Sequence, residues 1–129
     1  MKRRTAREKS LQALYQIDMS GATPEEAIQH VLEDAPVDEY LQNSVMGTIS
    51  HLEEIDQMVK VNLEKWSFDR LAKVDRNILR LAVYEMKYAD DVPDKVAINE
   101  AVELAKHFSD ERSSKFINGV LSRIKDSIQ

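Results

Sequence analysis

Asp75-Arg76-Asn77-Ile78-Leu79-Arg80-Leu81-Ala82-Val83-Tyr84-Glu85-Met86-Lys87-Tyr88 decides the fold of this 129-residue chain. Wound at about 100° per residue, the stretch is apolar nearly all round, and only Arg76, Arg80 and Lys87 mark a narrow polar stripe. A helix of that kind has to be enclosed by others, which places Ile78, Leu79, Leu81, Ala82 and Met86 at the centre of the core. Glu85 falls on the wheel between Ile78, Leu81 and Ala82. A carboxylate so placed is expected to be buried and hydrogen-bonded, joining helices rather than doing chemistry.

The same three-and-four spacing of apolar residues runs outward in both directions, giving seven helical segments and no strand: an all-α chain. Thr5-Ala6-Arg7-Glu8 reads as a capping box opening a helix to about Met19, with Gly21 as its stop. Thr23-Pro24-Glu25-Glu26 repeats the box, and that helix ends before Pro36. A third begins near Asp38, and Ser50 with Glu53 predicts a kink or a fresh start before the pattern fades near Glu64. After the central stretch, Val92-Pro93 breaks the chain and Asp94 is placed to cap a helix to Phe108. Its alanines 97, 101 and 105 invite close packing, while Asn99, Glu100, Glu103 and His107 form its polar face. A last helix runs from about Arg112 to Ile128. The Trp66 region is expected to divide an N-terminal helical subdomain, about 1–65, from a C-terminal one, about 66–129, within one compact domain.

Composition removes several classes of function. With no cysteine there are no disulfides, thiolate metal sites or cysteine nucleophiles, and a reducing, cytoplasmic setting is expected. With polar residues after Met1-Lys2-Arg3-Arg4, no secretory leader is expected, and the longest apolar run, Leu81–Tyr84, is far short of the ~20 residues of a transmembrane helix. His30, His51 and His107 lie on separate segments without metal-ligand spacing, and only three glycines are available for a phosphate-cradling loop. No nucleophile elbow or P-loop is present, so neither catalysis nor a cofactor is expected.

The charge is uneven. Residues 1–9 hold five of the 18 basic residues and one of the 23 acidic, leaving 13 and 22 in the body, a net −9 within the overall −5. An acidic body with a basic head confines a polyanion to that head. Cations there also crowd the positive end of a helix dipole, a cost that phosphate contact would offset. Read alone, Lys2, Arg3, Arg4 and Arg7 fit either phosphate binding or a merely soluble N-terminus. The last helix adds a second cue: Phe116 sits on the flank of the Ile117, Val120, Leu121, Ile124, Ile128 stripe beside Arg112, Lys115, Gly119 and Arg123. A ring among cations suits an unpaired RNA base, the alternative being that Phe116 closes the edge of the core.

Four blocks together resemble the NusB family of bacterial transcription antitermination factors: Arg3-Arg4-Thr5-Ala6-Arg7-Glu8 with Ala13-Leu14-Tyr15, Asp75 to Glu85, Val92 to Lys106, and Lys115-Phe116-Ile117-Asn118-Gly119-Val120-Leu121. The resemblance spans the chain in order. It implies two small packed helical bundles, no enzymatic activity, and an adaptor that recognises boxA RNA of ribosomal RNA leaders together with ribosomal protein NusE, within an RNA polymerase complex that suppresses premature termination. Carried onto this sequence, RNA contact falls on Lys2, Arg3, Arg4, Arg7, Lys115 and Phe116, with Arg112 standing where some relatives carry an acid. The NusE face involves Tyr15, Asp69 and Asp75. A recognition domain of a ribosomal RNA-modifying enzyme and a pure protein-interaction bundle are the alternatives, the first less expected because the sequence ends at Gln129 with no cofactor-binding segment after it. An apolar face such as that of the first helix would also suit a homodimer.

Overall fold

The computed structural model describes residues 1–64 and 67–128. Among these residues seven helices follow one another: α1 (Arg3–Ser20), α2 (Pro24–Leu32), α3 (Glu39–Ser50), α4 (Leu52–Val61), α5 (Lys73–Tyr88), α6 (Asp94–Phe108) and α7 (Glu111–Ile128), with one 3₁₀ turn at Phe68–Arg70. The expected subdomain boundary near Trp66 lies outside the described residues.

α5 is the axis. It packs against α1, α3, α4, α6 and α7, with α1, α2 and α3 bundled on one side and α6 and α7 on the other. Ile78, Leu79 and Val83 are completely buried, as its all-round apolar surface requires. The polar stripe is drier than expected. Arg80 is buried, its Nε and Nη2 each donating at 2.8 Å to the Asp56 carboxylate, and Arg76 donates to Asp18 at 2.7 Å. The reason is tertiary: α4 supplies Asp56, α1 supplies Asp18, and the guanidinium groups stand over the Phe68 ring. Only Lys87, paired with Glu54, stays at the surface.

Helix ends agree with their signals where the signal is local. The Thr23–Glu26 box forms in full, Asp38 accepts from the Leu41 N–H at 2.9 Å, and Gly21 takes the left-handed conformation at φ 73°. Three signals were displaced. α1 starts two residues before Thr5, on an extended Lys2 with no side-chain cap, because the head is held by long-range partners: the Met1 amine by Asp38, Arg3 by Asp91 and Arg4 by Glu100. The chain does break at His51, yet Ser50 donates to the Gly47 carbonyl instead of capping, and the His51 ring stacks on Tyr88 at 3.9 Å. At α6, Pro93 takes the capping position without a side-chain bond and Asp94 becomes the first helical residue. Ala97, Ala101 and Ala105 are buried, which lets α5 and α7 close on α6.

Candidate nucleic-acid interface

The first turn of α1 projects Lys2, Arg3 and Arg4 from the surface, and α6 runs beside it. Arg4 grips Glu100 with two bonds, Nε to Oε1 at 3.2 Å and Nη2 to Oε2 at 2.7 Å. That bond from Arg4 holds the Glu100 carboxyl below its usual range, and the Arg4 guanidinium is correspondingly raised. Arg3 reaches Asp91 at 3.4 Å, and Lys2 makes no ion pair among the described residues. Lys9 turns away and donates to the Val31 carbonyl at 3.0 Å.

Arg7 behaves differently from the rest of the head. It is 4% exposed, its Nε donating to both Glu85 oxygens at 2.9 and 3.1 Å and its Nη1 reaching Glu100 at 3.4 Å. The expected RNA contact is therefore withdrawn from the surface in this structure. A residue that shares the Leu11 and Leu14 face of α1 is carried into the core, and the buried Glu85 needs a cation there. Tyr40 closes the same buried cluster. Burial, then the Glu85 charge, pushes its phenol up to about 12.

The flank of α7 does not form one patch. Arg112 and Phe116 line a hollow of about 410 Å³ with Arg70, Leu71 and Asp75, at the start of α5. Lys115 instead lines a groove against α6 with Asn99, Val102 and Lys106. Adjacent side chains on a helix diverge by about 100°, so the ring and its neighbouring lysine address two sides of α7. Arg123 is drawn off to the Asn62 carbonyl at 3.0 Å, and Gly119 has ordinary space for a Cβ, 3.7 Å from Arg123. Between head and α7, α6 shows Glu100, Glu103 and His107 to α1 and Asn99, Val102 and Lys106 to α7.

Of the residues assigned to a protein partner, Tyr15 and Asp69 are exposed and Asp75 is buried. The Asp75 Oδ2 accepts from the Ser113 hydroxyl at 3.0 Å, and burial pushes its carboxyl upward against that bond. Glu100, Asp91 and Asp38, the partners of the head, were not among the sequence candidates. Glu100 was legible only as a polar-face residue of α6, since nothing local announces a bond to a residue 96 positions away. Among the described residues no group of three or more His, Cys, Asp or Glu could hold a metal ion, and no helix is long and apolar enough to cross a membrane.

Fold and surface together define a small all-helical protein with a cationic first turn and an aromatic, arginine-edged hollow. The chain belongs to the NusB family, whose model matches residues 4–126. The transcription antitermination protein NusB of Bacillus subtilis (strain 168) is 53% identical over 129 residues, covering 100% of this chain and 98% of that protein. Its namesake in Geobacillus kaustophilus is 54% identical, covering 100% and 99%. Among solved structures, T. maritima NusB superposes with a TM-score of 0.90 at 36% identity, over 98% of this chain and 92% of that one. A crystal structure of antitermination factors NusB and NusE in complex with dsRNA superposes with a TM-score of 0.88 at 35% identity, over 97% and 96%.

Proposed function

We infer that this chain is a non-catalytic transcription antitermination factor, an adaptor that binds boxA RNA of ribosomal RNA leaders together with NusE. The observation that carries the reading is the basic first turn on a body whose remaining charge is −9, in a fold that matches a NusB solved with NusE and RNA over nearly its whole length. Arg3 and Arg4 exchange Asp91 and the half-buried Glu100 for phosphates, the first swap being inexpensive because an exposed ion pair contributes little, and Lys2 has no ion pair to give up among the described residues. Arg7 acts behind them, fixing α1 to α5 and α6 through Glu85 and Glu100. Lys115 extends the track across α6, while Phe116 and Arg112 offer a ring and a cation to an unpaired base at the far hollow. Tyr15, Asp69 and the rim around Asp75 are assigned to NusE. The setting is the bacterial cytoplasm, on the transcribing polymerase.

Fluorescence anisotropy with labelled boxA RNA and a scrambled control, with and without NusE, tests the reading. The expected result is sequence-dependent binding that tightens with NusE and is lost in Arg4→Glu at unchanged helicity. Equal binding to both RNAs, or unaltered affinity in Arg4→Glu, would defeat the assignment and favour a protein-interaction module.

A further inference from the structure

Between α3 and the C-terminal end of α5 lies a hollow of about 400 Å³ that touches the RNA track only at Arg3 and includes none of the residues assigned to NusE. Its walls are aromatic: Tyr40 from α3, and Tyr84 and Tyr88 from α5. The wall is held in place from behind. Tyr88 stacks on His51 at 3.9 Å and on Tyr84 at 6.1 Å, and Gly47 leaves the space into which the Tyr84 ring lies. The rim is acidic, with Glu39, Asp90 and Asp91 all exposed. One cation, Arg3, already lines it. The Arg3 guanidinium carbon stands 4.2 Å from the centre of the Tyr40 ring, and its Nη1 lies 3.4 Å from Asp91 Oδ2.

Three carboxylates around tyrosine faces repel phosphate and attract a cation, and a planar guanidinium satisfies both the stacking and the fork-like pairing better than an ammonium. Arg3 holds the place loosely. Its side chain is 49% exposed and that of Asp91 68%, so the ion pair is solvent-screened and exchangeable. We propose that this hollow is a receptor for an arginine side chain of a partner protein, with Arg3 as its resident in the free chain. The proposal rests on the RNA reading in one respect: when Arg3 turns to a phosphate it uncovers the Tyr40 ring and frees Asp91, so RNA and the partner's arginine bind with positive coupling, each raising the other's affinity equally.

The test uses the full chain and Nα-acetyl-arginine amide as the probe, read by NMR of the tyrosine ring signals. In Arg3→Ala the probe shifts Tyr40, Tyr84 and Tyr88 saturably, with an affinity about three- to tenfold above that of the unsubstituted chain, the range expected for one displaced stacking contact and one exposed ion pair. Nα-acetyl-citrulline amide, which has the same shape and no charge, gives no saturable shift. Replacing Asp90 and Asp91 together by Asn abolishes probe binding at unchanged helicity. Absence of a saturable shift in Arg3→Ala, or equal binding of the citrulline probe, would overturn the receptor. With the unsubstituted chain, boxA RNA is expected to raise probe affinity to the Arg3→Ala level. A receptor that binds in Arg3→Ala but gains nothing from RNA would overturn the coupling alone, and locate the failure in the RNA role of Arg3.

Discussion

Arg7 and Glu85 sit at 5% and 2% side-chain exposure, where an ion pair is held by geometry and loses heavily if one member goes. Glu85→Ala is expected to cost about 3 kcal/mol, because the buried Arg7 charge is left with only its 3.4 Å contact to Glu100. The urea midpoint checks this, and replacing both residues by apolar ones should recover most of the loss. Asp75 presents the opposite case. Burial raises its folded-state pKa above that of an ordinary aspartate, so folding favours the protonated acid. Its contribution is therefore fully favourable below the unfolded pKa and is lost as pH rises through the folded one. Asp75→Asn is accordingly predicted to raise the melting temperature at pH 7, with the gain vanishing below about pH 4. Glu100 runs the other way: Arg4 lowers its pKa, so its stabilisation is present above the unfolded pKa and disappears as pH falls through the folded one.

The helices differ in what sets their ends. α2 carries its start in four consecutive residues and was readable as written, because every bond of the Thr23 box is local. α1 has an equally good box at Thr5 and ignores it. Starting at Arg3 lengthens the helix, with the Ala6 N–H donating to the Lys2 carbonyl at 2.9 Å, and places Arg4 for its two-bond grip on Glu100. The junction of α3 with α5 is decided by close approach. A Cβ at Gly47 would overlap the Tyr84 ring, so Gly47→Ala forces the ring or the helix to move. The expected cost is about 1–3 kcal/mol. Thermal unfolding gives the magnitude, and altered near-UV tyrosine dichroism would show that the α3–α5 wall has shifted.

Across the molecule, charge asymmetry sets what can be bound. A net −9 body with a five-cation head predicts phosphate-led binding. If four or five phosphates are engaged, log K should fall with log salt at a slope of about −3, measured by anisotropy between 50 and 200 mM salt. A flat response contradicts that mechanism. The all-α class, the central place of α5 and the burial of Glu85 were legible in the residues, because period and polarity on a single helix determine how much of it must be covered. The basic head was legible for the same reason, being contiguous. What lay beyond the reading was every pairing between elements: Arg80 drawn inside by Asp56, Arg7 by Glu85, Asp75 covered by Ser113, and the α7 flank divided between two hollows. Sequence by itself determined which side chains have to be covered and where the cations gather, since those follow from local pattern. Only the tertiary structure decided which cations remain free to meet a ligand, because that depends on carboxylates brought near from 24 to 96 residues away.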